Sequence, residues 1–292
     1  MSMDIFKSDV LAGKSILVTG GGSGLGKEIS KALAAKGAQV HICGRRANVL
    51  EEAIAEIGHG AQAHICDIRD ADSIEAMMEA IWAHGPLTGL VNNAAANFIA
   101  PTKDLSPRGF RAVTSTVMDG SFFVTLACGK RWIEQGIKGA VVSNLVTWVW
   151  SGSAFVVPSA MAKTALHAMT MSLAVEWGKY GIRLNATAPG PFPTESAWEK
   201  LNPIPDAQSS ATGSDTVPLG RFGQMPELQN LITFLMSDGC DYITGQTIAI
   251  DGGQHLAQPG TFADLNGMSD AQWQAAREAI QASTQRDKAN RA

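Results

Sequence analysis

Short apolar runs alternate with amphipathic stretches along most of the chain. KSILVTG (14–20), AQVHIC (38–43) and AQAHICD (61–67) read as buried strands, because each is a short apolar run of strand length. LTGLVNNAA (87–95), GAVVSNL (139–145), GIRLNATAPG (181–190) and QTIAIDGG (246–253) continue the series. Between them the pattern turns helical. In residues 25–36, Leu25, Ile29, Ala32 and Leu33 share one face. Further helices are expected at 48–57, 73–82, 107–135, 158–179 and 227–237. Strands alternating with helices predict one α/β domain over residues 1–292. It is a doubly wound, mostly parallel sheet of about seven strands flanked by helices. A looser stretch spans 191–220, and an extension over 254–292 holds an amphipathic segment around Trp273.

Composition narrows the function. Of 292 residues, 45% are hydrophobic and 17% charged, enough for a large core. A net charge of -4 and a pI near 5.9 argue against nucleic acid as a partner. No run of 18 apolar residues occurs, so no membrane span is expected. MSMDIFKSDV has neither the apolar core of a signal peptide nor the Arg-rich bias of a transit peptide, and KANRA is not a peroxisomal tripeptide. Cys43, Cys66, Cys128 and Cys240 are scattered without a C-x-x-C pair. That pattern predicts reduced thiols in a cytoplasm and no metal site.

TGGGSGLG (19–26) follows the first strand and opens the first helix. Gly20, Gly24 and Gly26 let the backbone turn tightly against a pyrophosphate at the helix N-terminus, with Gly22, Ser23 and Leu25 completing the loop. A site for a nucleotide without a 2′-phosphate wants a carboxylate near the end of the second strand. Here that strand ends in Arg45 and Arg46, which favour the 2′-phosphate of NADP(H). Two arginines also suit a solvated turn. Asp67, at the end of the third strand, is a candidate for the adenine amino group or for a helix N-terminus.

With these pieces the chain resembles the Rossmann-type short-chain dehydrogenase/reductase family over nearly its whole length. The resemblance rests on TGGGSGLG (19–26), NNAA (92–95), Lys163 and the PG at 189–190. It is closer to the 2,4-dienoyl-CoA reductases, through NNAAANFIAPTKDLS (92–106), SAFVVPSAMAK (153–163), LAVEWGKYGIRLN (173–185), APGP (188–191), DGG (251–253) and GTFADLNGMSDAQW (260–273). It implies that Asn93, Ala94, Ala95, Pro189 and Gly190 also line the cofactor site, and that 191–220 closes over substrate.

The family's usual tyrosine position, four residues before Lys163, holds Ser159. The partner serine position, thirteen residues earlier, holds Val146, and the relay asparagine position holds Asp119. The chain's two tyrosines, Tyr180 and Tyr242, align with neither slot. In the dienoyl-CoA reductase pattern Ser159 is expected, and with Lys163 it serves the nicotinamide ribose. That pattern pairs a tyrosine fifteen residues before the lysine with an asparagine, both donating to the thioester oxygen. Here these positions hold Trp148 and Asn97. Indole offers one N–H and no transferable proton. Trp148 can therefore support an enolate oxygen but not carbonyl reduction. Trp148 and Trp150 also suit a pocket wall, and Asn97 also suits a turn. The Asp119 carboxylate suits a relay, accepting a bond from Lys163 or water, or only a charged helix surface.

The sequence thus predicts an NADPH-dependent oxidoreductase reducing a conjugated C=C, with a small-molecule substrate of the acyl-CoA thioester kind. Phe192, Trp198, Leu201 and Ile204 would form the apolar side of its lid, beside Glu195 and Glu199. Alternatives are a hydroxyl or carbonyl dehydrogenase with a relay through Asp119, Ser159 or water, and a catalytically silent nucleotide-binding protein. Helices 107–135 and 158–179 resemble those through which the family forms dimers and tetramers, so a homo-oligomer is expected.

Overall fold

The computed structural model describes residues 5–193 and 214–257, together with residues 269, 271, 272, 274 and 275. Trp198, Leu201, Ile204, Glu195, Glu199 and Trp273 lie outside the described residues. The chain divides into two units, residues 1–255 and 256–292, and the sheet and every candidate site residue belong to the first.

Seven strands form one sheet: β1 (Ser15–Thr19), β2 (Gln39–Gly44), β3 (Gln62–Ile65), β4 (Gly89–Asn92), β5 (Ala140–Asn144), β6 (Arg183–Pro189) and β7 (Thr247–Ile250). The order is β3-β2-β1-β4-β5-β6-β7, and each neighbouring pair is parallel. The strand order reverses between β1 and β4, where doubly wound sheets open a crevice at the strands' carboxyl ends.

The period-two alternation of β1 explains the two layers. Ile16 and Val18 pack with α1 (Gly24–Ala35) and α2 (Ala47–Ile57) through Ile29, Leu33, Leu50 and Ala53. Leu17 points to the other face, against α3 (Ala71–Trp82) and, farther along the chain, Val124, Cys128 and Trp132. Both faces of the sheet are covered, which is why its strands read as continuous apolar runs.

The expected helix at 107–135 is interrupted. It forms α4 (Pro107–Thr114), a π-helical turn at Ser115–Asp119, and α5 (Gly120–Gln135). The run is long and apolar enough to cross a membrane, yet 56% of that window is buried inside the domain, as suits a core helix. After β5 comes a short helix the periodicity did not reveal, α6 (Trp148–Ser151), then α7 (Val157–Trp177). A further helix, α8 (Met225–Met236), covers β5 and β6. Val113, Val117, Leu145, Ala162, Leu166 and Ala186 form a third small core, which ties α4 and the π turn to α7 beneath the strand ends.

Candidate active site

The Gly-rich loop joins β1 to α1, and its glycines are dictated by contact. Gly20 has φ +65°, and a Cβ there would stand 2.9 Å from the Ala94 Cα. At Gly26 a Cβ would lie 2.4 Å from both the Asn93 amide nitrogen and the Gly20 carbonyl oxygen. Ser23 caps α1 in an extended conformation without a side-chain bond, and the first turn carries no acid. The N-terminal N–H groups of α1 are therefore left to an anion, and the loop can hold a pyrophosphate.

Across the crevice the buried Thr19 hydroxyl accepts the backbone N–H groups of Asn93 and Ala94, both at 3.0 Å. Asn93 Nδ2 donates to the Thr19 carbonyl at 3.2 Å. Asn144 Nδ2 donates to Asn93 Oδ1 at 3.1 Å, and Thr187 Oγ1 donates to Asn144 Oδ1 at 3.1 Å. One hydrogen-bonded chain thus runs over the ends of β1, β4, β5 and β6. Thr19, Asn144 and Thr187 were missed by sequence reasoning. The one signal was polarity at the ends of apolar strands.

Ser159 and Lys163 lie one turn apart on α7, both buried. The Lys163 ammonium donates to the Asn144 carbonyl, and burial pulls its pKa down to about 8. Asp119 ends the π turn, half-buried. Its carboxylate makes no hydrogen bond or ion pair with a described residue, so the expected option of a bond between Lys163 and Asp119 is replaced by Lys163 on Asn144.

Trp148 opens α6, half-buried, and its indole N–H bonds no described residue. Asn97 lies half-buried in the loop after β4, its amide likewise without a partner among the described residues. That loop is held to the segment before α7 by the Ala100 N–H, which donates to the Phe155 carbonyl at 2.9 Å. Trp150 faces elsewhere. Its ring lies against His255 at 4.8 Å, tilted by 32°, and meets His167 edge-on at 6.3 Å. His255 Nδ1 bonds the buried Asp251 carboxylate at 2.7 Å. Trp150 therefore packs on His255 and His167, contacts that the sequence did not suggest. Tyr180 and Tyr242 are both exposed, and Tyr180 lies beyond the far end of α7.

Pro189 ends β6, and at Gly190 a Cβ would meet the Asp251 Cβ at 2.6 Å, so the close approach of the β6 and β7 ends requires glycine there. At the other end of the crevice Arg45 and Arg46 follow β2, exposed and without an ion-pair partner among the described residues. Asp67 does not stand free for an adenine amino group. Its carboxylate is closed on Arg69, whose Nε donates at 2.8 and 3.1 Å and whose backbone N–H donates at 3.1 Å.

Comparison with known proteins places the fold in a family. A family model described as enoyl-(acyl carrier protein) reductase matches residues 20–255. A probable 2,4-dienoyl-CoA reductase of Bacillus subtilis is 42% identical over 248 residues, 83% of this chain and 97% of that protein. Probable 2,4-dienoyl-CoA reductase 3 of Caenorhabditis elegans is 38% identical, over 88% of this chain and 85% of its own. A crystal structure of a short-chain dehydrogenase from Bacillus anthracis superposes with a TM-score of 0.75 at 42% identity, covering 84% of this chain and 98% of that one. With its Gly-rich loop, its Asn93–Asn144–Thr187 chain and Lys163 at the strand ends, the protein belongs to the short-chain dehydrogenase/reductase family and is an oxidoreductase that takes a nicotinamide nucleotide.

Proposed function

We propose that the protein uses NADPH to reduce a conjugated C=C of a dienoyl- or enoyl-CoA thioester. The observation that carries this reading is the donor set. Trp148 and Asn97 carry an indole N–H and an amide, each half-buried and unpaired among the described residues, while both tyrosines are exposed. Carbonyl reduction needs a proton delivered to oxygen, whereas an enolate oxygen needs only donors.

The bound nucleotide supplies the hydride. The Gly20–Gly26 loop holds its pyrophosphate, Arg45 and Arg46 its 2′-phosphate, and Ser159 and Lys163 its nicotinamide ribose. Trp148 and Asn97 would hold the thioester oxygen as negative charge gathers there, and water would then protonate the enolate at carbon, so that one hydride and one proton add across the conjugated system. The dienoyl-CoA reductase names of the relatives support the same substrate class. We extend the reading to a homo-oligomer, because Phe122 and Phe123 on α5 and Met171 and Val175 on α7 are exposed. A cytoplasmic setting goes with four cysteines that are all free and buried.

The test follows NADPH absorbance with the purified protein and a medium-chain 2,4-dienoyl-CoA. Oxidation that depends on the thioester is expected. A flat trace from protein shown to bind NADPH overturns the reading.

A further inference from the structure

We propose that Arg69 selects the cofactor: by closing on Asp67 it covers the charge of the carboxylate that ends the β3 region, and so leaves Arg45 and Arg46 to a 2′-phosphate. This rests on the NADPH reading above and deepens it.

The two strand ends are neighbours. β2 and β3 pair in parallel, with Gly44 opposite Ile65, and the Cys66 N–H donates to the Gly44 carbonyl at 2.9 Å. Arg45 and Arg46 follow Gly44, and Asp67 follows Cys66. A bare carboxylate here would repel the dianion of a 2′-phosphate and compete for the arginines. Arg69 weakens both effects by bonding both carboxylate oxygens. Nε reaches both oxygens at 2.8 and 3.1 Å, Nη2 reaches Oδ2 at 2.5 Å, and the Arg69 N–H reaches Oδ1 at 3.1 Å. A carboxylate offers about four lone-pair sites, and one residue occupies them.

Charge agrees with geometry. The side-chain bonds from Arg69 hold the Asp67 carboxyl down to about 2, and the Arg45 guanidinium is near enough to add to the effect. The pair is local, two residues apart, so it forms whenever the turn forms. Ser73 fixes that turn, its hydroxyl accepting the Asp67 N–H at 3.1 Å. Arg45 and Arg46 have no such partner among the described residues. Arg45 and Arg46 thus stand beside an Asp67–Arg69 pair whose own charges cancel. Helix α2, which starts at Ala47 with no acid in its first turn, adds its positive end.

The probes are adenosine 2′,5′-bisphosphate and adenosine 5′-diphosphate, titrated calorimetrically, so that catalysis is not the readout. The wild-type protein is expected to prefer the first. In R69A the Kd for the 2′-phosphorylated probe should rise about tenfold, as an uncovered charge several ångströms away implies, while the Kd for the 5′-diphosphate stays within about twofold. Adding D67N to R69A should restore the preference, because the charge that Arg69 covered is gone. Restoration is the signature that a merely structural arginine would not give. R69K, which keeps a charge without the fork, should fall between the two.

An unchanged preference in R69A, or no rescue by D67N, overturns the assignment. So does a D67N single variant that weakens both probes alike, since Asp67 would then be reading the adenine. A wild-type protein that binds both probes equally instead sinks the NADPH reading itself.

Discussion

Trp148 is the residue on which the proposed chemistry turns. Its indole N–H has no partner among the described residues, while its neighbour Trp150 is engaged with His255. If Trp148 donates to the developing enolate, W148F should lower kcat/KM for a dienoyl-CoA by about 10²- to 10³-fold, the usual effect of losing one such donor, with NADPH affinity unchanged. A kcat/KM within twofold of wild type would make Trp148 a wall. Lys163 gives a different residue-level test. An unfolded lysine titrates near 10.5, and burial brings this one to about 8. Below that pH the fold carries the full cost of a buried ammonium, relieved as pH rises from about 8 to 10.5, where the unfolded chain holds the extra proton. K163M should therefore abolish turnover yet raise the thermal midpoint at neutral pH by about 2–4 °C. A fall in the midpoint would mean that the bond to the Asn144 carbonyl outweighs the burial of charge.

At the scale of elements, the site is a set of strand ends joined by side chains. The clearest test is the approach of α1 to the β4 loop at Gly26. A methyl there meets backbone oxygen at 2.4 Å, so α1 or the Gly20 turn must shift. G26A should weaken NADPH binding by at least about tenfold, read by fluorescence titration, with a smaller loss of stability; equal affinity would mean that the loop adapts. The Gly motif and the parallel strands were legible because both are local patterns. The π turn was not, since residues 107–135 have one continuous helical periodicity and nothing local marks Ser115–Asp119. Its place against α7 is set by Val117 packing with Ala162 and Leu166, contacts far apart in sequence. The short helix at Trp148–Ser151 escaped for the opposite reason, being too brief to show a period.

For the whole molecule, the end of the sheet away from the nucleotide offers a pH test. His41 on β2 is 3% exposed, and its Nδ1 lies 3.0 Å from His64 Nε2. Burial, then the neighbouring His64 and His84, push its pKa down to about 4. The unfolded imidazole titrates near 6.5, so between these values the unfolded chain binds the extra proton. The stability of the fold is therefore full above about 6.5 and falls as pH drops toward 4, by roughly 3 kcal/mol in all. The urea midpoint should follow this slope, and H41L should flatten it. The same slope in H41L would place the sensitivity elsewhere.

The sequence by itself determined the parallel α/β architecture and the Gly-rich loop, because period and turn glycines are properties of neighbouring residues, and the resemblance nominated Lys163, Ser159, Asn97 and Trp148 as candidates. The resemblance also carried the family. Only the tertiary structure decided which partners those side chains keep. Asn144 took the lysine instead of Asp119, Arg69 took Asp67, and Thr19, Asn93 and Thr187 closed into one chain. Of these bonds only the Arg69–Asp67 pair is local, and even there the sequence left Asp67 a choice among acceptor roles. The others join residues 19 to 75 positions apart, and a hydrogen bond across such a gap exists only once the strands that carry it are paired.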